Sequence, residues 1–388
     1  MSKYLKLFTN RIFVTFIWFA LSFFAVLKQA LHHHINNYLI YKHTFINLVH
    51  RVNLFAPQPQ FFEDSNHYGP LFALVIAPFT LFPDGVAAVL WVMVNAWVLY
   101  QAILLLPLTA LQRNAVLLIC AHELMTASFN TQFNPMMTSF IVLSYVFIKN
   151  KHDFWAALFI VAGTYIKLYG IVGLAFFFFS EHKIKFILSL LFWSIVLFVL
   201  PMVFSSPAFV VQSYYDWYTS LAEKNSLNAT STMQDISVMG MIRRIFHYPQ
   251  LSNLVIMAPA LLVFAASYLN IKSFKQTPYQ LLILASTLIF TVIFSTGSES
   301  PTYIIAFVGV AVWFMNLNRP VTRIEIGLLI FALLVTSLSP SDLFPKYINR
   351  TYIKPFALKA LPCFVIWLKI IYESLTRQFN RQPVYEAV

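Results

Sequence analysis

Hydrophobic residues follow one another in long runs along most of the chain, and polar residues collect in the short stretches between the runs. The runs are apolar on all sides and lack the alternation, with a period of two, of a barrel strand. Because lipid cannot satisfy backbone hydrogen bonds, such runs predict membrane-embedded helices and an all-α fold. The segments lie near residues 12–30, 69–83, 86–107, 114–128, 135–148, 154–166, 168–180, 184–206, 251–270, 279–296, 301–316, 324–338 and 356–373.

Several of these segments are shorter than the roughly 20 residues that a membrane-crossing helix needs, so we expect about 10 to 13 true crossings. The segment at 69–83 is short and bounded by prolines, which predicts a re-entrant or tilted piece. Residues 154–180 form two short halves around Lys167-Leu168-Tyr169-Gly170.

Composition supports a polytopic membrane protein. Hydrophobic residues make up 59% of the 388 positions and charged residues only 10%, against about 25% charged residues in soluble proteins. The formal charge of +12 is a common sign of nucleic-acid binding, but the chain has no soluble basic domain for that role. We therefore expect membrane lipids, and no nucleic acid, among its partners.

Basic residues also predict the topology. Short loops rich in lysine or arginine tend to face the cytoplasm, and the basic N-terminus has the same character. This places residues 31–68, 129–134, 207–250, 295–300 and 339–355 together on the opposite, non-cytoplasmic face. The sequence predicts one membrane domain over residues 1–373 and a cytoplasmic tail over residues 374–388.

The first non-cytoplasmic loop, residues 31–68, is rich in ionisable and aromatic side chains. Apolar and polar residues alternate from Tyr38 to Leu54, which predicts an amphipathic helix at the membrane interface. Three consecutive histidines, His32 to His34, point in different directions on any regular element and cannot all face one ion. Together with two cysteines inside apolar segments, this leads us to expect no metal site and no disulfide.

Cations at unusual places are the first candidates for chemistry. Lys167 lies in an apolar run, where a charge is expensive and marks a functional position, although a lysine that snorkels to the interface is the alternative. Arg243 and Arg244 lie in the loop at 207–250, on the side that basic residues normally avoid. Guanidinium groups bind phosphate through paired charge-assisted bonds, so a phosphate group is one expected partner and anionic lipid is the other.

Several short strings occur along the chain in a recognisable order. They are Asn37-Tyr38-Leu39-Ile40-Tyr41-Lys42, Tyr68-Gly69-Pro70-Leu71-Phe72-Ala73-Leu74, Gln132-Phe133-Asn134, Ile166-Lys167-Leu168-Tyr169-Gly170, Ile236-Ser237-Val238-Met239-Gly240 and Glu299-Ser300-Pro301-Thr302-Tyr303. In this order they resemble the landmarks of glycosyltransferase family 87, the polyprenol-phosphate-mannose-dependent α-mannosyltransferase-like proteins of the GT-C superfamily, in a form similar to those of Bacteroidetes bacteria.

The resemblance implies a GT-C-like helical bundle that transfers a sugar from a polyprenyl-phosphate-linked donor, without a cofactor. The acceptor would be a lipid or a glycan, and the reaction would invert the anomeric centre at the periplasmic face. A carboxylate of the first loop would be the base, and positioned cations would receive the leaving phosphate.

This sequence departs from many relatives at Asn37, where they carry an aspartate. An amide cannot act as a base, so Asp64 is our first candidate, followed by Glu63 and Glu299. The remaining polar residues of the landmarks and loops form the candidate substrate-binding set. That set is Asn37, Lys42, His67, Tyr68, Gln132, Asn134, Lys167, Tyr169, Asp235, Arg243 and Arg244.

Two other functions stay open at this point. A lipid-linked saccharide flippase would also need many helices, buried charges and a basic cavity, but it should place its polar groups near the bilayer midplane. An acyltransferase or a ligase of the O-antigen type would need an embedded histidine with a partner acid, for which only His122-Glu123 qualifies.

Overall fold

The computed structural model describes residues 9–228, 231, 234–318 and 320–379. Every regular element in these ranges is a helix and none is a strand, so the all-α prediction is confirmed. The first basic residues of the chain, Lys3 and Lys6, and residues 380–388 of the expected cytoplasmic tail lie outside the described residues.

The described residues divide into two compact units. The first unit comprises residues 1–106 and 121–227, and the second comprises residues 107–120 and 228–388. The helix Ala110–Phe129 contains the boundary, because its first half belongs to the second unit and its second half to the first.

The first unit contains most of the helices that precede residue 228. They are α1 (Arg11–Leu31), α2 (Asn36–His50), α3 (Phe72–Ile76), α4 (Asp84–Leu104), the second half of α5 (Ala110–Phe129), α6 (Asn134–Lys149), α7 (Asp153–Lys167), α8 (Lys183–Val199) and α9 (Pro207–Asn228), with 3₁₀ turns at Ala77–Leu81, Tyr169–Phe179 and Leu200–Val203. The side chain of Asn10 accepts a hydrogen bond from the Ile12 amide and so caps the start of α1. Trp91, Phe72 and Phe133 are buried and pack ring against ring in the core of this unit.

The second unit contains the later helices. They are α10 (Val238–Ile245), α11 (Asn253–Ala266), α12 (Thr277–Ile293), α13 (Tyr303–Met315), α14 (Arg323–Phe331), α15 (Lys346–Ile348) and α16 (Ala360–Thr376), with 3₁₀ turns at Ser267–Leu269, Ile271–Ser273 and Ser300–Thr302 and π-helical turns at Ala332–Leu338 and Asn349–Ile353. Thr322 and Glu325 form a reciprocal capping box at the start of α14. The helices α12 and α13 are almost entirely buried, and Trp313 and Trp367 are among the large side chains of the core.

Three helical stretches of the described residues are long and apolar enough to cross a membrane. They are Arg11–Leu31, Asp84–Leu104 and Lys183–Val203, and five shorter apolar helices accompany them. The helix α8 exposes a row of large apolar side chains that includes Ile184, Leu188 and Ile195, as expected for a surface that faces lipid. These features fit a membrane protein, while the number of crossings stays a prediction.

The segment at 69–83 and the two halves of the segment at 154–180 are short in the structure, as the sequence predicts. The first consists of α3 and the 3₁₀ turn that follows it, and together they span only Phe72–Leu81. In the second, α7 ends at Lys167 and the chain continues as a 3₁₀ helix from Tyr169. Leu168, between them, has the left-handed φ of 40°. A Cβ at Gly170 would lie 2.3 Å from the Thr164 amide nitrogen, so only glycine permits this close turn.

The loop at 207–250 contains more regular structure than a periplasmic loop predicts. Its first half is the 22-residue helix α9, and its second half includes α10. Asp216, Ser220, Glu223 and Leu227 recur at intervals of three or four along α9, and Lys224 lies at the same intervals from Ser220 and Leu227. Residues at this spacing share one face of a helix.

Candidate functional site

A cavity of about 350 Å³ lies in the first unit between the loop that follows α2 and one face of α9. The loop contributes Asn53, Phe55, Asp64 and His67 to its lining, and α9 contributes Asp216, Ser220, Glu223, Lys224 and Leu227. These residues come together because the face of α9 that carries Asp216, Ser220 and Lys224 is turned toward the loop. The first-choice base therefore lies in a cavity large enough for a small molecule.

Asp64 is fixed in this cavity by its own backbone and by α9. Its φ is 70°, a left-handed value that aspartate tolerates better than most residues, and its Oδ1 accepts a hydrogen bond of 2.8 Å from the Ser65 amide. The ammonium group of Lys224 lies 3.1 Å from Oδ2. The carboxylate is thus held by two donors and remains half exposed to the cavity.

His67 supports the same carboxylate from a second side. Its Nε2 lies 3.8 Å from Oδ1 of Asp64, and its Nδ1 lies 2.9 Å from the hydroxyl of Ser220. The indole of Trp217 donates to the backbone oxygen of His67. The loop is therefore attached to α9 by side-chain and backbone contacts next to the candidate base.

These neighbours change the acidity of Asp64. Its pKa lies well below the ordinary value of an aspartate, and interaction with the His67 side chain is the largest cause. Partial burial acts in the opposite direction, while Lys224 and the Ser65 amide lower the pKa further. Asp64 is consequently ionised at any pH at which the protein is expected to work, and it is available to accept a hydrogen bond.

Glu63, the second candidate, points elsewhere. Its backbone exchanges two hydrogen bonds with the side chain of Asn36, of 2.7 and 2.8 Å. The residue is exposed and does not line the cavity. The chain therefore places only one of the two carboxylates in the cavity.

The chain turns at Tyr68-Gly69-Pro70, directly after His67, and this corner contacts the end of α7. The amide of Gly69 donates a 2.9 Å hydrogen bond to the backbone oxygen of Ile166. A Cβ at Gly69 would lie 2.1 Å from the backbone oxygen of Tyr165. Only glycine allows the two backbones to come this close, and the corner is thereby joined to the helix that ends in Lys167.

Lys167 lies in a partly buried polar group next to this turn. Its ammonium nitrogen is 2.7 Å from Oδ1 of Asn134, and it lies over the rings of Tyr68 and Tyr169 at 5.6 and 5.0 Å. Both Asn134 and the Tyr68 hydroxyl also reach the side-chain oxygen of Gln132, each at 3.4 Å. Five of the residues that the sequence analysis selected as substrate-binding are thus neighbours.

Asn37 and Lys42, also selected from the sequence, have other contacts. The amide of Asn37 donates to the backbone oxygen of Asn130 at 2.8 Å. Lys42 forms an ion pair of 2.6 Å with Asp84 at the start of α4. Neither side chain lines the cavity, and their roles in substrate binding stay predictions.

A second polar group lies in the second unit, before and within α10. Arg243 is 5% exposed and pairs with the 1% exposed Asp235 at 2.7 Å. Asp235 also accepts a hydrogen bond from Ser237, which caps α10. The guanidinium further donates to the backbone oxygen of Leu251 and to the side chain of Asn253. Burial raises the pKa of Asp235, and the contacts with Ser237 and Arg243 oppose that shift.

Arg243 is a candidate because it lies on a side that basic residues normally avoid, and the structure gives it a buried acidic partner. Asp235 lies only eight positions away, and the turn before α10 brings the two together. Buried charges of this kind are normally paired, so the pair explains the arginine without a phosphate. The proposed phosphate-binding role of Arg243 stays a prediction.

Arg244 is held differently. One of its terminal nitrogens, Nη2, donates to the backbone oxygens of Ser231 and Gln234. The other, Nη1, is buried and has no hydrogen-bond partner among the described residues. Gln234 in turn donates to the carboxylate of Glu299 at 3.0 Å, so the third-choice base belongs to this group in the second unit.

None of the α9 residues that line the cavity was selected from the sequence, among them Asp216, Ser220, Glu223 and Lys224. Their spacing along a helix was a usable signal, but the segment had been treated as a loop. Asn53 and Phe55 gave no comparable signal, because their position depends on how the loop folds back.

Comparison with known protein families gives a match for this chain. The sequence model of glycosyltransferase family 87 matches residues 66–296, which is more than half of the 388-residue chain. The matched range begins just after Asp64 and includes His67, Lys167, α9 and α10. No curated protein matches the chain.

Proposed function

Because the chain belongs to glycosyltransferase family 87 and is a membrane glycosyltransferase, we propose that it transfers a sugar from a polyprenyl-phosphate-linked donor to a hydroxyl of a lipid or glycan. Mannose is the first candidate for the sugar. The reaction would invert the anomeric centre and take place at the periplasmic face of a bacterial inner membrane, in a GT-C-like bundle. The family membership favours this reaction over a flippase.

The observation that carries the proposal is the position of Asp64. Its ionised carboxylate lines a cavity in the first unit and is fixed by Lys224 and His67. A hydroxyl bound in the cavity could donate its hydrogen bond to this carboxylate. The base and the cavity that would hold its substrate are therefore supplied by one loop and one helix.

The chemistry follows from these groups. The acceptor oxygen attacks the anomeric carbon while the bond from that carbon to the phosphate oxygen breaks, and the phosphate leaves with the bonding electrons. A low pKa makes Asp64 a weak base. It would orient the hydroxyl first and take its proton late, when bond formation has made that proton acidic.

Lys167 is the proposed cation for the leaving phosphate. Asn134 is a neutral partner, so their bond positions the ammonium group without cancelling its charge. Positive charge that is already in place stabilises the charge that develops on a leaving group. The rings of Tyr68 and Tyr169 add a favourable cation–π environment. Arg244 of the second unit, with its buried Nη1, is a further candidate for binding a phosphate.

The proposal is tested by incubating the purified protein with labelled polyprenyl-phosphate-mannose and a membrane lipid extract. A new labelled product whose formation needs both the protein and the extract is the expected result. Donors that carry other hexoses, supplied at the same concentration, show whether mannose is preferred. Absence of a product with every donor would overturn the proposed reaction.

A further inference from the structure

The chemical character of the cavity next to Asp64 indicates what it binds. Asp216 and Glu223 lie on the same face of α9 as Lys224 and face the loop that carries Asp64. The cavity is therefore lined by three carboxylates and one ammonium group. The carboxylates outnumber the cationic groups, so the charge of the lining is negative.

This charge disfavours anionic ligands. A phosphate or a uronate in the cavity would approach three carboxylates and could pair with only one lysine, which Asp64 already engages at 3.1 Å. Like charges that are brought together in a partly desolvated site repel each other. The donor phosphate consequently belongs elsewhere, and the cavity fits a ligand without negative charge.

The carboxylates also supply the hydrogen-bond acceptors that the hydroxyl groups of a neutral sugar need. An ionised carboxylate has only acceptor sites, and a sugar ring presents several hydroxyl donors. The Glu223 side chain is exposed and forms no hydrogen bond or ion pair with another described residue. Asp216 is held in place by the amides of Asn53 and Gln212, at 3.2 and 2.9 Å.

Apolar side chains and one histidine complete the lining of the cavity. Phe55, Pro57 and Leu227 offer carbon surface for the C–H groups of a sugar ring. His67 adds a buried Nε2 that has no hydrogen-bond partner among the described residues. The cavity volume of about 350 Å³ lies at the lower end of the range of about 300–1,000 Å³ for small-molecule sites, which suits a short saccharide.

We propose that this cavity is the acceptor subsite, and that it selects a neutral, hydroxyl-rich sugar over an anionic one through Asp216 and Glu223. The inference rests on the proposed glycosyltransferase reaction and names the chemical class of its acceptor. The hydroxyl to be glycosylated would point at Asp64, while neighbouring hydroxyls would bind the two carboxylates of α9.

The test compares two probes that share one ring and differ in one charge, methyl glucoside and methyl glucuronide. Binding of each to the purified full chain in detergent is measured by calorimetry or by saturation-transfer NMR. We expect the wild type to bind the neutral probe at least about tenfold more tightly than the anionic one, because of like-charge repulsion. The variants D216N and E223Q should reduce this ratio by weakening the repulsion.

The control variant is E181Q. It also removes one exposed carboxylate of the first unit, but Glu181 pairs with Lys151 and does not line the cavity. This variant should keep the wild-type ratio. Equal binding of both probes by the wild type, tighter binding of glucuronide or of inorganic phosphate, or an unchanged ratio in D216N and E223Q would each overturn the inference.

The outcome can be separated from that of the proposed function. A wild-type protein that transfers the labelled sugar but does not prefer the neutral probe would refute the acceptor subsite alone. A protein that selects methyl glucoside through Asp216 and Glu223 but forms no product with any donor would refute the proposed reaction and leave a neutral-sugar site.

Discussion

The ammonium nitrogen of Lys224 lies 3.1 Å from Oδ2 of Asp64, although the two residues are 160 positions apart in the chain. This ion pair fixes the loop that follows α2 to the face of α9. It also explains how a carboxylate in an irregular loop acquires a defined position. The candidate base is therefore a product of tertiary structure, and α9 is as important to it as the loop.

Asp64→Asn is expected to slow the chemical step by about 10²–10⁴, because the amide keeps the shape of the side chain but cannot take a proton. The measurement is single-turnover transfer from labelled polyprenyl-phosphate-mannose. Glu63→Gln is the matched control, since the exposed Glu63 does not line the cavity. Near-normal transfer by Asp64→Asn, with transfer abolished in Glu63→Gln or Glu299→Gln, would move the base to another carboxylate.

Lys167→Ala is expected to weaken use of the donor by about tenfold or more, because charge-assisted hydrogen bonds contribute roughly 1.5–3 kcal/mol each. The readout is kcat/KM for the labelled donor at saturating acceptor. Lys185→Ala removes an exposed lysine of α8 and should leave this value unchanged. An equal kcat/KM in wild type and Lys167→Ala would remove the lysine from the donor site.

Arg243 and Arg244 should respond differently to replacement by alanine. Removal of Arg243 leaves Asp235 buried without its partner, and breaking a buried pair in this way costs about 3–5 kcal/mol of stability. Thermal unfolding in detergent should therefore show a lower Tm for Arg243→Ala. Arg244→Ala loses two hydrogen bonds to backbone oxygens but leaves no buried charge unpaired, so it should lower the Tm less than Arg243→Ala and should raise the KM for the donor. Unchanged stability of Arg243→Ala, together with a raised donor KM, would assign both arginines to phosphate.

The pH dependence of sugar transfer should reflect the lowered pKa of Asp64, which its neighbours cause. The pKa of this residue is lowered in the folded protein, so its ionised form persists below the ordinary aspartate value of about 3.9. The stabilisation that it provides is present above that value and is lost as the pH falls through the lower, folded pKa.

Replacing His67 or Lys224 should move the acidic limb of the pH–rate profile to higher pH. Each replacement removes a cause of the lowered pKa of Asp64. His67→Gln should move it further than Lys224→Gln, because the His67 side chain is the largest cause. Lys185→Gln serves as the charge-matched control. A limb that stays in place in both variants would show that Asp64 does not govern the rate.

The topology is testable with single cysteines and a membrane-impermeant thiol reagent applied from the periplasmic side. The two native cysteines, Cys120 and Cys363, are buried, and both are replaced by alanine in the parent protein. Probes at Ser65 and Ser226 should react, whereas a probe at the exposed His182 should react only after the membrane is permeabilised. Labelling at His182 in intact cells would reverse the predicted orientation.

The sequence was sufficient for the class of fold and for two of the places where the helices become irregular. Apolar runs without alternation predict helices, and the proline-bounded segment at 69–83 and the break at Lys167-Leu168-Tyr169-Gly170 are both found in the structure. These features are local, because each depends on composition or on a few neighbouring residues. Landmark strings identified the family, which the match to residues 66–296 confirms.

The partners of the candidate residues could not be predicted in the same way. Asp64 and Lys224 are brought together by a loop that folds back onto a helix, and no local pattern specifies which residue of the helix it meets. The pairing of Arg243 with Asp235 was closer in sequence, but it depends on the turn that precedes α10. The helical periodicity of α9 was visible and would have predicted the shared face of Asp216, Ser220, Glu223 and Lys224.

The break after Lys167 also has a consequence for the surrounding lipid. The helix α7 has 15 residues and the 3₁₀ helix after it has 11, which correspond to lengths of about 22 Å each at their usual rises of about 1.5 and 2.0 Å per residue. The hydrocarbon core of a bilayer is about 30 Å thick. A bilayer that adjusted to this hydrophobic mismatch would become thinner around the turn. Its headgroups would then approach Lys167, and the proposed donor phosphate would reach the lysine without leaving the headgroup layer.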